Sequence, residues 1–266
     1  MDFYIQFCPL VHKITLGVDL NNNPIEEDIL DLPQQIAKQK NKKVVVCIDE
    51  FQQIGSFPDT LKFQKTLRSH WRAQADVAYI LCGCKKHIMM NIFEKSGNPL
   101  HSFGDMMVLT KITNEEWKKF LVGRFKDTGK SIAPDLAGYL AEQVENHPYY
   151  VQQLAQYTWL RTIDFCSKDI VDEALQAMLD SLNLQFINTI DSLTQKQQNF
   201  LCAICDGVVN FSATDTLHRY KLGTSGNIRI IKEALKKRDI IDETGKDIQI
   251  QDPIFKLWII REFAKM

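Results

Sequence analysis

Several features that define other protein classes are missing from this 266-residue sequence. No apolar run reaches the roughly 18 residues of a membrane-spanning helix, so we expect no membrane partner. The opening MDFYIQFCPL has no basic segment followed by a long apolar stretch, and we therefore expect no secretory signal. The formal net charge of −1 gives no global field that would attract nucleic acid or an anionic membrane. These absences favour an ordinary globular protein.

The cysteines do not form the pattern of a disulfide framework or a zinc site. Their number, seven, is odd. Cys202 and Cys205 have the spacing of half a zinc site, but no second Cys or His pair lies at a usable distance along the chain. These two, and Cys47 in a strand-like run, are flanked by apolar residues, which favours reduced thiols in the core. We expect no zinc and a reducing, cytoplasmic compartment.

A complete phosphate-binding loop is also missing. Such a loop needs the pattern G-x-x-x-x-G-K-[ST], preceded by a strand and opening a helix, so that backbone N–H groups surround the anion. The chain has a Gly-Lys-Ser tripeptide at Gly129–Ser131, but Arg124 stands where the first glycine should be, and an amphipathic helix precedes it. We predict a helix-to-helix turn instead, with Gly129 just after one helix, Ser131 turning the chain or capping, and Pro134 starting the next.

Residues 1–112 show the alternation of strands and helices that predicts a parallel sheet. Val44–Ile48 is a continuous apolar run, typical of a central strand covered on both faces. Around it we predict strands at Asp2–Phe7, Val77–Gly83 and Met106–Ile112, a polar loop over 19–30, and helices through Ile36, at Phe63–Trp71 and at Lys85–Phe93.

The remainder of the chain is mainly helical in pattern. Its last block combines three short helices, a hairpin turning at Thr244–Gly245 and a closing helix, which is the pattern of a winged helix. We therefore predict three domains: an α/β core over 1–112, a helical lid over 113–192 and a winged helix over 193–266. The helices predicted for the lid begin near Thr113, Pro134, Tyr149 and Lys168.

Two adjacent acids, Asp49 and Glu50, follow the apolar run Val44–Ile48. Ligands of parallel sheets bind in the crevice beyond the carboxyl ends of the strands. Mg²⁺ prefers a hard carboxylate beside the phosphates, and a neighbouring carboxylate can polarise a water for hydrolysis. A strand that merely ends in two solvated acids explains the same residues, so the local pattern alone leaves both interpretations open.

Four motifs together resemble a known family. Their sequences, in chain order from residue 44 to residue 263, are VVVCIDEFQQI, YILCGCKKHIMMNIFEKSGNPL, NHPYYVQQLAQ and DPIFKLWIIREF, and the similarity around them runs from about residue 1 to 265. They are similar to the archaeal-type ATPases, a group of AAA/STAND P-loop NTPases with an ATPase core, a helical lid and a winged helix. The resemblance implies an ASCE/AAA-like α/β core that lacks its first strand and phosphate loop, which in the family precede the region matched here.

The resemblance also implies roles for individual residues. Asp49 and Glu50 correspond to the Walker B pair, with Asp49 holding Mg²⁺ through water and Glu50 as the catalytic base. Cys84 stands at the polar sensor position, where the family commonly has Ser, and a thiol is only a weak donor. Pro148 matches a lid position near the adenine of ATP.

Alternatives remain open for several basic or helix-capping residues. His147 and Pro148 also fit an ordinary helix start with Pro at its first position. Arg68 and Arg72 lie on the helix after Walker B, where they either approach phosphates of another copy or face solvent.

A possible nucleic-acid or partner surface lies on the third helix of the winged-helix pattern. Arg229, Lys232 and Lys236 share one helix face and could contact DNA phosphates. Residues 191–266 contain 12 basic and 10 acidic residues, and this balance of +2 does not favour DNA.

Two functions follow as hypotheses. The first is an ATP-binding ATPase module using Mg·ATP, impaired in binding and turnover in this chain because the phosphate loop is absent. The second is a non-catalytic adaptor that binds DNA or an unknown protein through the lid and winged helix.

Overall fold

The computed structural model describes residues 3–5, 14–16, 25–244 and 247–263. The chain forms two compact units, Met1–Val108 and Leu109–Met266, which are called here the first and the second unit. No helix in the described ranges is long and apolar enough to cross a membrane. The six cysteines within these ranges are free thiols.

The described residues of the first unit form two small sheets and three helices. Strands β1 (Phe3–Ile5) and β2 (Ile14–Leu16) pair antiparallel, whereas β3 (Val44–Ile48) and β4 (Val77–Leu81) pair in parallel. The helices are α1 (Ile25–Lys40), α2 (Thr60–Ala73) and α3 (Lys86–Glu94), with a 3₁₀ helix at Phe51–Ser56. The buried core of this unit comprises Phe51, Ile54, Leu67, Trp71, Ile92 and Leu100.

One face of the β3–β4 sheet is open in the described part of the chain. Val45 and Ile80 are 55% and 51% exposed, and Cys47 between them is exposed as well. Side chains alternate between the faces of a strand, and only the side of Val44 is buried. The prediction of a strand covered on both faces is therefore wrong for these residues, and the prediction of Cys47 as a core thiol is wrong for the same reason.

Two further predictions in the first unit need correction. Met106–Ile112 forms no strand, and Met107 and Leu109 are more than four-fifths exposed, because no described strand lies alongside to pair with them. The predicted polar loop over 19–30 is helical from Ile25 onward. The acids at positions 26–28 suit the first turn of a helix, where the helix dipole favours negative charge. Residues 19–24 lie outside the described part.

The second unit is helical apart from one hairpin. A lid of four helices is followed by three short helices, the hairpin of β5 (Ile241–Thr244) and β6 (Asp247–Ile250), and a closing helix. The helices are α4 (Asn114–Asp127), α5 (Pro134–Gln143), α6 (Pro148–Arg161), α7 (Lys168–Asp191), α8 (Gln195–Cys205), α9 (Thr214–Arg219), α10 (Ser225–Lys237) and α11 (Pro253–Trp258), which continues as a π-helical turn over Ile259–Phe263. The predicted lid helices, winged-helix helices and hairpin are confirmed.

One continuous core runs through the second unit. It extends from Trp117 and Leu121 on α4 to Trp258 and Ile259 at the closing helix. Phe120, which the helical pattern also places on the buried face of α4, is 45% exposed. Because lid and winged helix share this core, they pack as one body, and the finer division into 113–192 and 193–266 stays a prediction.

Candidate functional site

The two acids that follow β3 occupy the carboxyl edge of the parallel sheet. Asp49 and Glu50 are both exposed. Glu50 has a left-handed backbone, with φ of 53°, and directly precedes the 3₁₀ helix. Its N–H donates to Asp49 Oδ1 at 2.8 Å, so the first carboxylate fixes the turn that presents the second.

The end of β4 lies beside these acids because the strands are parallel and in register. The Cys82 N–H donates to the Ile48 carbonyl, and the Phe51 N–H donates to the Cys82 carbonyl, each at 2.8 Å. The next residue, Gly83, leaves room for two neighbouring side chains. A Cβ there would lie 2.5 Å from Gln52 Oε1 and 2.7 Å from Met89 Sδ. The chain thereby delivers Cys84 to the same edge as Glu50.

A buried glutamine joins the two exposed side chains. Gln52 is 4% exposed, and its Nε2 donates to Glu50 Oε2 and to Cys84 Sγ, the latter at 3.4 Å. The Cys84 thiol in turn donates to Glu50 Oε2 at 3.6 Å. Burial, and then the Glu50 carboxylate, raise the pKa of the Cys84 thiol above its usual range, so the protonated thiol is favoured. We call Glu50, Gln52 and Cys84 the edge cluster.

Gln52 was not among the residues that the sequence pointed to. Its position, two residues after Glu50 in an apolar segment, was the available signal, because a polar amide among core residues must find a hydrogen-bond partner or lose stability. The sequence did place Asp49, Glu50 and Cys84 at strand ends, and the structure brings these three together.

A magnesium ion at this edge would depend on few protein ligands. Asp49 offers an exposed carboxylate of the type Mg²⁺ prefers. In the described ranges, no group of three or more His, Cys, Asp or Glu side chains could hold a metal ion. Since Mg²⁺ keeps several waters and commonly takes its other ligands from phosphate oxygens, one carboxylate fits such a site.

Pro148 and the loop that precedes it belong to the second unit. His147 precedes the helix and Pro148 is its first residue, so the structural explanation of this motif is present in full. Glu145 and Asn146 both have left-handed backbones, with φ of 51° and 55°. Burial lowers the pKa of His147 below its usual value, which favours the neutral ring.

The same loop is attached to the closing helix α11. Lys256 Nζ lies 2.7 Å from Glu145 Oε1, and Lys111 Nζ donates to the Glu145 carbonyl at 3.0 Å. The Tyr150 hydroxyl donates to Asp252 Oδ2 at 2.6 Å. The other oxygen of Asp252 caps α11 by accepting from the backbone of Ile254 and Phe255. Any ligand contact by Pro148 is therefore tied to the position of the winged helix.

The two arginines on α2, Arg68 and Arg72, have different surroundings. The Arg68 guanidinium donates to the carbonyls of Pro99 and His101 and lies over the Phe103 ring. These contacts hold the loop after α3. They leave the Arg68 side chain poorly placed to reach a phosphate of another molecule. Arg72 is exposed on α2.

The basic face of α10 is partly neutralised by the wing. Lys232 and Lys236 each lie 3.0 Å from a carboxylate oxygen of Glu243 on β5. These lysines lower the pKa of Glu243, Lys232 having the larger effect. Arg229 is 87% exposed and pairs with Glu233 on its own helix at 3.4 Å. Of the three predicted contact residues, Arg229 is therefore the most available to a partner.

The Gly-Lys-Ser tripeptide lies in the predicted helix-to-helix turn. Gly129 follows α4 with φ of 77°, a conformation that favours glycine, and Pro134 opens α5. Lys130 Nζ donates to the Trp159 carbonyl at 2.7 Å and lies 4.0 Å from the centre of its indole ring. Ser131 pairs with Phe165 in an isolated β-bridge and does not cap the helix. The lysine is fully engaged inside the lid.

Comparison with known proteins shows which folds this chain is similar to. Residues 184–261 match the family model described as a probable winged helix domain. The Walker-type ATPase PABY2304 of Pyrococcus abyssi has a TM-score of 0.63 at 12% identity, with 91% of this chain and 71% of that chain covered. The ORC2 protein of Aeropyrum pernix, solved with ADPNP and ADP, has a TM-score of 0.56 at 15% identity, with 94% and 73% covered. No curated protein sequence matches the chain.

These similarities establish a P-loop NTPase-like fold with a winged helix at its carboxyl end. The predicted resemblance to archaeal ATPases is confirmed at the level of the fold. At these low identities, the roles of individual residues depend on the geometry of this chain.

Proposed function

We propose that this chain is the Walker B, lid and winged-helix portion of an AAA/STAND-type ATPase, with Mg·ATP as its ligand. The observation that carries the proposal is the edge cluster with Asp49. A metal-binding carboxylate, a candidate base and a polar sensor side chain meet at the carboxyl ends of two parallel strands. This edge is where open α/β sheets bind their ligands.

The residues have distinct roles in this proposal. Asp49 would hold the hydrated Mg²⁺, which neutralises charge on the phosphates. Glu50 would accept a proton from the attacking water, since its carboxylate lies at the edge of the sheet with one oxygen fixed by Gln52. Cys84 would donate a weak hydrogen bond to the terminal phosphate. Pro148 would pack near the adenine.

The 266 residues contain no phosphate-binding loop, and this sets the expected strength of ATP binding. Positioning and charge stabilisation of the β- and γ-phosphates carry most of phosphoryl-transfer catalysis. Lys130 cannot replace the missing lysine, because its ammonium group is bound to Trp159. We expect this chain by itself to bind ATP weakly and to hydrolyse it at no appreciable rate. The compartment we propose is reducing and cytoplasmic, as the cysteine spacing of the sequence indicates.

Calorimetric titration of the purified chain with Mg·ATP, with Asp49→Ala as the matched variant, tests both statements. Weak binding that Asp49→Ala abolishes supports the ATP site and its impairment. Micromolar or tighter binding by the unmodified chain would show that the impairment is wrong. Binding of any strength that Asp49→Ala leaves unchanged would remove the proposed site.

The second candidate function is a non-catalytic adaptor, and the winged-helix match favours it. DNA is possible but not favoured as the partner, since Glu243 pairs with two of the three predicted contact residues on α10, Lys232 and Lys236; an unknown protein remains the other candidate. A salt-dependent gel shift with duplex DNA, lost in Arg229→Ala/Lys232→Ala, would support DNA binding. No shift at low salt would exclude it.

A further inference from the structure

Gln52 links the end of β3 to the end of β4 through its side-chain amide. We propose that Gln52 is a positioning residue that holds the Glu50 carboxylate against the Cys84 thiol, so that the base and the sensor position move together. This inference rests on the proposed function for the roles of Glu50 and Cys84. Its geometric basis does not depend on nucleotide.

The contacts of the edge cluster form a closed triangle. One nitrogen, Gln52 Nε2, donates to both Glu50 Oε2 and Cys84 Sγ. The thiol completes the triangle by donating to the same carboxylate oxygen. Glu50 and Cys84 are exposed while Gln52 is buried, so the amide is the fixed point and the two outer groups depend on it.

The glutamine is held in place by packing. Phe51 and Ile54 on either side of it belong to the core of the first unit. Gly83 leaves the space that its amide occupies, since a Cβ at that position would approach Gln52 Oε1 and Met89 at impossibly short distances. The amide is therefore enclosed between core residues and the Gly83 backbone, with its donor directed at the cluster.

The other end of the amide argues against a purely structural role. Gln52 Oε1 is buried and has no hydrogen-bond partner among the described residues. An unsatisfied buried carbonyl destabilises a fold, and an apolar side chain of similar shape would avoid that loss. A leucine at this position would serve packing better. What it could not do is connect Glu50 to Cys84.

In the proposed ATPase, the edge cluster would couple Cys84 at the end of β4 to Glu50 at the end of β3. A phosphate that engages Cys84 would compete for the contact with Glu50, and Gln52 would keep the freed carboxylate within the site. The base would then become available only when the sensor position is occupied.

Alkylation of Cys84 by iodoacetamide at fixed pH tests, without nucleotide, whether Gln52 holds Glu50 against Cys84. The thiolate is the reactive form, and the adjacent Glu50 carboxylate disfavours it. Peptide mass spectrometry follows Cys84, with exposed Cys47 on β3 as the internal reference. Glu50→Gln should raise the Cys84 rate roughly three- to tenfold, because the negative charge beside the thiol is lost.

The decisive variant is Gln52→Leu, with Gln53→Leu as its exposed control. If Gln52 holds Glu50 in place, Gln52→Leu should raise the Cys84 rate toward that of Glu50→Gln, with the thermal midpoint unchanged or higher. Gln53→Leu should leave the rate unchanged. The Glu50→Gln/Gln52→Leu double variant should react no faster than Glu50→Gln, because Gln52→Leu favours the thiolate only through Glu50 and also removes the Nε2–H donor to Cys84 Sγ.

Three results would overturn the inference. They are a Cys84 rate in Gln52→Leu equal to that of Gln53→Leu, independent effects in the double variant, and loss of folding in both Gln52→Leu and Gln52→Asn. The last would make Gln52 a structural residue only. Because the readout needs no ATP, failure here is distinguishable from failure of the ATP titration.

Discussion

Acidic side chains of the two units have different surroundings. In the second unit, acidic side chains fasten one element to another: Glu145 to α11 through Lys256, and Glu243 to α10 through two lysines. In the first unit, Asp49 and Glu50 stand at an open sheet edge and are held by a backbone N–H and an amide. Asp31 and Asp76 also link elements of the first unit, so the available carboxylates are those at the sheet edge and not those of the whole unit.

The second unit also has the larger and more deeply buried core. The second unit has one core from α4 to the closing helix, with Leu140, Leu154 and Phe200 at 0% exposure. The first unit has a small core in which only Leu100 reaches 0%, and one face of its β3–β4 sheet is open in the described part. We infer that the first unit opens more readily than the second, since local stability follows buried apolar contact.

The largest expected effect comes from replacing one buried tryptophan in each unit. Trp258→Ala removes a ring packed on Phe255 and a hydrogen bond to Asn183, and should destabilise the second unit by about 3–5 kcal/mol. Trp71→Ala removes a ring stacked 4.4 Å from Tyr79 and should open the first unit alone. Hydrogen exchange read segment by segment distinguishes the two outcomes.

The comparison would fail if Trp71→Ala increased exchange equally in both units. The units would then unfold together, and the smaller core would not be an independent source of instability.

A smaller effect is expected where the lid loop joins the closing helix. Asp252→Ala loses two capping bonds and the bond from Tyr150, and should cost about 1–3 kcal/mol in denaturant unfolding. Tyr150→Phe removes only the hydroxyl and should cost less. Exposed Asp247 provides the control, and Asp247→Ala should stay within about 0.5 kcal/mol of the original.

The smallest effect concerns pH and the wing. Lys232 and then Lys236 hold the pKa of Glu243 below its usual value in the folded chain. Its contribution is therefore complete above the ordinary glutamate pKa of about 4.3 and is lost as the pH falls through the lower folded value. Glu243→Gln should reduce stability by about 0.2–1 kcal/mol at neutral pH, and less in high salt. Unfolding of both proteins at pH 7 and pH 3 checks this, since the difference should be smaller at pH 3 than at pH 7.

The helices of the second unit could be predicted from the sequence because amphipathic spacing and capping residues act locally. Thr113 accepts from the Glu116 N–H at the start of α4, as the capping pattern indicated. Met106–Ile112 shows the limit of such reasoning. An apolar run becomes a strand only when another strand pairs with it, and that is a property of distant residues.

The same difference between local patterns and contacts with distant residues applies to the candidate site. Asp49 and Glu50 follow from a strand end, which a local pattern predicts, whereas Cys84 was indicated by the family resemblance. Gln52 follows from neither, since its importance comes from a contact with Cys84, 32 residues away. Arg68 illustrates the reverse: a position on a helix face suggested a phosphate contact, but the carbonyls of Pro99 and His101 determine what it binds.

The left-handed backbone at Glu50 places two demands on one residue. A φ of 53° is costly for a side chain with a Cβ and costs glycine nothing. Stability alone would favour glycine there, and glycine has no carboxylate. The turn that aims the candidate base therefore makes its position intrinsically unfavourable for any residue able to act as a base, so thermostability and proton transfer are opposing goals for anyone redesigning this edge.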